Sequence, residues 1–243
     1  MRATRSVRLL GVIAEYERIL VVMHDNPDPD AIAAGWAAHM LVRKCLGRHA
    51  RLVGGGAVVR AENLHLVRLL EPPLELVSAV EIRDATAAIL VDCSAEAENH
   101  LLAQEGVRPI AVIDHHVAND RSRRRVSFRD VRPGVAAAAS ITASYLREQQ
   151  LEPDVRPATA LCYGIRTETR GARSRHSRLD RSVLRWLADY VNPEWLAEIE
   201  SAPLPRSYFK DLAQALANTV PYDDAAFCLL PSASGAGDRR RSG

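Results

Sequence analysis

Residues 19–31 read ILVVMHDNPDPDA: five apolar residues, then one histidine and three carboxylates within residues 24–30, then the start of a helix-period segment at about Ala31. The apolar run has the length of a buried strand, and strand, polar loop and helix in that order form the first unit of an α/β fold. Outward from it the alternation continues. Strands are expected at 50–53, 88–91, 110–113 and 126–129, with helices at 31–46, 61–70 and 136–150. From Pro157 the chain turns almost wholly helical, through 180–190, 193–199 and 205–217, each opened by proline or a capping-type residue. An apolar run at 225–230 reads as one last strand. The fold class predicted is α/β: a mostly parallel sheet flanked by helices, followed by a helical segment and one terminal strand.

Composition bounds the function classes. With 243 residues, 47% hydrophobic and 26% charged, the chain can bury a large core as one large domain or two small ones. The longest charge-free stretches, 31–42 and 133–146, fall short of the roughly 20 apolar residues of a membrane span. The charged N-terminus lacks the apolar core and cleavage site of a secretory signal, so cytoplasmic residence is expected. The net charge of +2 resides in residues 232–243, which hold three Arg against one Asp, and the body before them is neutral. A neutral body offers no face for long duplex nucleic acid, so any nucleic-acid substrate should be short. Cys45, Cys93, Cys162 and Cys228 are far apart and read as reduced core residues.

Chemistry concentrates where strands end, the place where open α/β sheets bind ligands. His24, Asp25, Asp28 and Asp30 follow the first strand, Asp92 follows the run at 89–91, and Asp114, His115 and His116 follow Val112 and Ile113. Taken singly, the first loop also suits a solvated helix cap, with Asp30 as the capping residue, and Asp92 suits a turn. Three such strand ends together point to a site. Oxygen and imidazole ligands without a thiolate pattern suit Mn²⁺, Mg²⁺ or Fe²⁺ better than a structural Zn²⁺.

The ordered set His24-x-Asn26-Pro27-Asp28-x-Asp30-Ala31, Val91-Asp92 and Asp114-His115-His116 resembles the successive motifs of the DHH phosphoesterase superfamily. The likeness extends through Gly55-Gly56, Arg60-Ala61-Glu62-Asn63, Asp130-Val131-Arg132-Pro133, the stretches 160–165 and 167–169, and 204–209, so it spans roughly residues 5–231. It is nearest in pattern to the branch of oligoribonucleases and phosphatases of 3′-phosphoadenosine 5′-phosphate. The resemblance implies a two-metal hydrolase of short nucleotides, including cyclic dinucleotides, usually with Mn²⁺. By motif, His24 and Asp28 would hold one ion, Asp30 and His115 the other, Asp92 would bridge them, and Glu168 would complete the second site. His116 would meet substrate phosphate, Asp114 would orient a ligand, and Arg60 and Asn63 would serve substrate binding. The implied organisation is a catalytic domain over 1–190, a helical linker over 191–218, the start of an incomplete C-terminal domain at 219–231 and a disordered basic tail at 232–243.

Three departures from the family pattern stand out. Glu168 occupies the position of a family Asp, residues 136–140 (AAAAS) replace a Gly-Ala-Thr type of helix start, and the family's C-terminal substrate domain is expected to be lacking. They favour, as an alternative, a truncated and catalytically weak relative acting as a metal- or nucleotide-binding module. An exposed apolar edge at 225–230 would pair with another chain or fray, and the first outcome leaves room for a homodimer. Gly54-Gly55-Gly56 suits either a phosphate cradle or a plain turn. The run 121–125 (RSRRR) reads as a solvated loop or a polyanion site, and Arg166, Arg170, Arg173 and Arg175 as phosphate guides or loop decoration.

Overall fold

The apolar run that opens the sequence reading forms the strand β1, Arg18–Val22. The computed structural model describes residues 3–80, 85–117, 126–169 and 176–228. In chain order, α1 (Arg5–Ile13) precedes β1, and α2 (Pro29–Leu46), β2 (His49–Gly54), α3 (Ala61–Leu70), β3 (Leu74–Leu76) and β4 (Thr86–Val91) follow it. Next come α4 (Leu101–Gln104), β5 (Ala111–Asp114), β6 (Phe128–Val131), α5 (Ala138–Glu148), α6 (Val155–Thr169), α7 (Arg178–Leu187) and α8 (Pro193–Glu200). A second compact unit, starting at Ala202, contains α9 (Arg206–Ala217), β7 (Thr219–Tyr222) and β8 (Ala225–Cys228).

The six strands of the first unit form one sheet in the order β3-β2-β1-β4-β5-β6, and every pairing is parallel. The α/β expectation holds. Three elements of this unit escaped it: α1, whose buried Leu9, Leu10 and Ile13 lie among charges, β3, only three residues long behind two prolines, and α4, a single turn over Leu101–Gln104. Ile19 and Val21 of β1 join Ile89 and Val91 of β4 in one core layer, while Leu20, Val22, Ala88 and Leu90 join the layer on the opposite face. Burial on both faces explains why these strands read as continuous apolar runs rather than alternating ones.

Helix α2 runs through the larger layer, and its Ala31, Ala33, Ala34, Ala37 and Ala38 are all buried. These small side chains let α5 and α6 pack closely. A Cβ added to Gly164 of α6 would lie 2.8 Å from the Pro29 carbonyl oxygen and 3.2 Å from the Ala33 Cβ. That crossing sits beside Asp30 and leaves the C-terminal end of α6, which bears Glu168, on the side of the strand ends.

The second unit, taken by itself, pairs its helix in sequence with an antiparallel hairpin in which Val220 lies opposite Phe227, and Asp223 takes a positive φ of 47° at the turn. One terminal strand was anticipated; β8 instead has β7 as a neighbour. Pro221 inside β7 masks that strand in a sequence reading. The expected tail at 232–243, the end of the 225–230 run, the 121–125 loop, Arg170, Arg173 and Arg175 lie outside the described residues. All four cysteines are free, but only Cys93 and Cys162 are buried; Cys45 is half-buried and Cys228 exposed, which corrects the expectation of four core residues. Among the described residues no helix is long and apolar enough to cross a membrane.

Candidate metal centre

The strand order reverses between β1 and β4, and the loops after these two strands meet there, the crevice that doubly wound sheets use for ligands. His24 leaves the end of β1 with its Nδ1 2.8 Å from the Asp25 carbonyl oxygen. A carbonyl only accepts, so the proton sits on Nδ1 and Nε2 presents a lone pair. That Nε2 lies 4.0 Å from Asp28 Oδ1 and 3.9 Å from Asp92 Oδ2. His115 Nε2 lies 3.2 Å from Asp92 Oδ1 and 3.6 Å from Asp30 Oδ2. Each oxygen of Asp92 therefore faces a different histidine.

Ligands held about 2.0–2.2 Å from one ion stand about 3–4 Å from one another, so these spacings fit a coordination shell. Among the described residues, two groups have ligand atoms all within 4.8 Å of one another: His24, Asp28 and Asp92, and Asp92, His115 and His116. They share Asp92. This residue takes a positive φ of 56°, uncommon for a non-glycine residue, and its N–H donates to the Ile113 carbonyl at 2.9 Å. Its Oδ1 is buried without a hydrogen-bond partner. Burial raises the pKa of Asp92 well above the ordinary 3.8, with the Asp28 charge adding to the effect. Burial does the same to Asp30, reinforced by the charge of Asp92. Buried carboxylates crowded in this way ask for a cation, and the donor set fits a divalent one.

Asp28, rather than Asp30, caps α2, its Oδ1 accepting from the Ala31 N–H at 3.0 Å. Asp30 turns the other way: its two oxygens accept from the N–H groups of Ala138 and Ala139 at 2.7 and 2.8 Å, capping α5 from across the core. The α5 cap residue, Ala137, has no side chain to do so.

Asp114 Oδ1 accepts from the backbone N–H groups of His115 and His116 and from His116 Nδ1, at 2.8, 3.1 and 2.8 Å. Burial pushes the Asp114 pKa up, but these donors together carry it below the ordinary value. The same contact raises the pKa of His116. The imidazole stays 60% exposed, so Nε2 remains available at the cleft mouth.

A cleft of about 330 Å³ is lined by His24, Asp28, Asp92, His115, His116 and Glu168. Glu168 belongs to neither ligand group; burial, then the Asp28 charge, raise its pKa, while His115, His116 and Arg60 oppose the rise. Arg60 stands exposed ahead of α3, and Asn63 is 5% exposed on that helix; neither lines the cleft. Arg166 pairs with Glu200 at 3.0 Å, on the α8 side, rather than guiding ligand into the cleft. The sequence reading missed Cys93, Ser94 and Asn99, which also line the cleft; their one signal was position, just beyond a strand-end carboxylate. Cys93 is a thiol, its pKa pushed up to about 12 by burial and by Asp114 and Asp92. At the glycine run a Cβ on Gly55 would collide with Asp25 Oδ1, and Asn26 donates its N–H to the Gly55 carbonyl. Small residues there make room for the 24–30 loop.

The DHH family, N-terminal domain, matches residues 18–165. The uncharacterized protein MJ1633 of Methanocaldococcus jannaschii is 32% identical over 200 residues, covering 82% of this chain and 40% of its own length. A probable manganese-dependent inorganic pyrophosphatase of Streptococcus pyogenes is 28% identical over 188 residues, covering 77% of this chain and 57% of its own. The chain thus spans about half the length of these relatives. Among solved structures, an exopolyphosphatase-related protein from Bacteroides fragilis matches with a TM-score of 0.64 at 15% identity, over 90% of this chain and 66% of that one, a likeness of fold.

Proposed function

The chain belongs to the DHH family, and we propose that it is a metal-dependent phosphoesterase hydrolysing phosphodiester or phosphomonoester bonds of short nucleotides. The observation that carries this reading is the carboxylate of Asp92, whose Oδ1 faces His115 Nε2 and whose Oδ2 faces His24 Nε2. In this reading His24 and Asp28 would hold one divalent ion, Asp30, His115 and Glu168 would hold a second, and Asp92 would serve both. Mn²⁺ is the favoured metal, supported by the donor set and by the likeness to the probable manganese-dependent pyrophosphatase of Streptococcus pyogenes. Ions of this kind, when bound, polarise phosphoryl oxygens and acidify water.

The chain's own residues supply the remainder. Asp28 and Asp30 are held by backbone N–H groups, so their oxygens are fixed in direction before any ligand arrives. Asp114 holds the Nδ1–H of His116, favours the protonated ring and leaves Nε2–H to donate to a phosphoryl oxygen. Arg60 adds positive charge near Glu168 at the rim, and Asn63 acts through its place in α3. The segments at 60–63 and 204–209 support the oligoribonuclease and 3′-phosphoadenosine 5′-phosphate phosphatase branch, with cyclic dinucleotides as further substrates.

A second reading, hydrolysis of inorganic pyrophosphate, is favoured by the likeness to the streptococcal pyrophosphatase. A third, a metal- or nucleotide-binding module without turnover, follows from Glu168 in place of the family Asp. One preparation decides among them. With Mn²⁺, dinucleotides and 3′-phosphoadenosine 5′-phosphate should be hydrolysed, and chelation should stop the reaction. Turnover of pyrophosphate alone selects the second reading, and Mn²⁺ binding without turnover of any of the three selects the third.

A further inference from the structure

Asp25 is the carboxylate of the 24–30 loop that stays outside the metal centre: it neither lines the cleft nor belongs to a ligand group. Its backbone nevertheless steers a ligand. The Asp25 carbonyl accepts from His24 Nδ1 at 2.8 Å, and this contact sets both the tautomer and the direction of the imidazole whose Nε2 faces Asp28 and Asp92. Where the Asp25 peptide goes, the His24 ring follows.

That peptide is held from both sides. On one side lies the segment after β4: the Asp25 N–H donates to the Asn99 carbonyl at 2.7 Å, and a β-bridge joins His24 to His100. The side chain reaches the same segment, Oδ2 accepting from Gln104 Nε2 of α4 at 3.1 Å. This short helix is firmly seated. His100 is 1% exposed and caps it, Nδ1 accepting from the Ala103 N–H at 3.0 Å, and Leu101 and Leu102 are buried. On the other side lies the loop after β2. Asp25 Oδ1 is buried without a hydrogen-bond partner and rests against Gly55, where an added Cβ would collide with it. The carboxylate thus spans the end of β1 between the loops of its two neighbouring strands.

A hydrogen bond from an exposed glutamine returns less than an unsatisfied buried oxygen costs, so the fold alone does not account for a carboxylate here. Orientation does. We propose that Asp25 is a positioning residue for the metal ligand His24: held by Gln104 on one side and seated against Gly55 on the other, it fixes the carbonyl that aims His24 Nε2 at the ion. The proposal rests on the reading of His24 as a metal ligand.

The test uses the full chain. It reads Mn²⁺ binding from the paramagnetic resonance of the free ion and, in the metal-free protein, the ¹⁵N resonances of the His24 ring. Wild type should bind Mn²⁺, with the His24 proton on Nδ1. Asp25→Ala should weaken one ion by about tenfold or more, as loss of a group that orients a ligand does, and should turn the ring into a mixture of tautomers. Asp25→Asn keeps an acceptor for Gln104 and should stay within about threefold of wild type. Gln104→Ala should weaken the same ion by about threefold or more. It replaces an exposed side chain, so it decides the matter even where Asp25→Ala does not fold. Gly55→Ala should weaken the ion in the wild-type background and add nothing to Asp25→Ala, in which the colliding oxygen is gone. Equal Mn²⁺ affinity and an unchanged ring tautomer in the folded variants, whatever their Tm, overturn the proposal and leave the metal centre standing. Additive effects of Gly55→Ala and Asp25→Ala overturn it too. Wild type that binds no Mn²⁺ overturns the metal reading, and the proposal falls with it.

Discussion

A non-glycine residue held at positive φ costs roughly 1–3 kcal/mol, and such strain gathers where function over-determines the backbone. Asp92 meets that description, and asparagine tolerates the same conformation. Asp92→Asn therefore separates charge from backbone: the fold should persist, while Mn²⁺ affinity and turnover fall by about 100-fold or more, measured by metal titration and rate assay. Asp114→Asn removes the charge that raises the His116 pKa. Because a raised pKa keeps the ring protonated to higher pH, the variant's alkaline limb should move to lower pH, with turnover down about 10–100-fold. Glu168 sits in the cleft but outside both ligand groups, one methylene longer than the Asp that the sequence resemblance implies at that position. Glu168→Asp should tighten the weaker Mn²⁺ or raise turnover; equal second-metal affinity and rate in both proteins would show that its length limits nothing. The residue types at the three strand ends were legible because a histidine or carboxylate directly after a buried apolar run has few other reasons to be there. Cys93, Ser94 and Asn99 were not, since neutral residues on a loop carry no such excess.

Helix boundaries depend on partners that a one-dimensional reading does not see. The stretch 136–140 holds no residue able to cap α5 at its first turn, and the cap arrives from Asp30 on α2. The sequence reading registered the missing hydroxyls at this start but gave Asp30 to α2, because the capping preference is local whereas the contact spans the core. Asp30→Ala should leave two buried N–H groups without partners and lower stability by about 1–3 kcal/mol in the Mn²⁺-free protein, read from urea denaturation. An unchanged midpoint would show that the α5 start finds other acceptors. The strands of the sheet centre were legible from their continuous apolar runs, their ends less so. β5 extends to Asp114 because that residue lies opposite Val131 in the ladder, a pairing that composition does not announce. β3 and β7 were hidden by shortness and by proline.

Across the whole molecule, the carboxylates of the centre set a pH dependence with a definite sign. Burial raises Asp30 and Asp92 above 3.8 and Glu168 above 4.5. In the metal-free protein the folded state thus holds more protons than the unfolded chain over the interval between ordinary and raised values. Their contribution to stability is full below the ordinary values and is lost as pH rises through the raised ones. A divalent cation reverses the penalty, so the gain in Tm on adding Mn²⁺ should grow from about pH 5 to about pH 8. A gain that shrinks over that range would mean the ion binds elsewhere. The parallel sheet also fixes an order of events. β1 pairs with β4, Arg18 opposite Thr86 and Val22 opposite Leu90, so the middle of the sheet cannot close until the chain beyond Val91 exists. On a ribosome His24 and Asp28 emerge early and wait, while Asp92, His115 and lastly Glu168 join them only as synthesis passes each position. The ion then meets a nearly finished fold, and metal supply should govern how much protein is active and how long the finished fold lasts, not the order in which it forms.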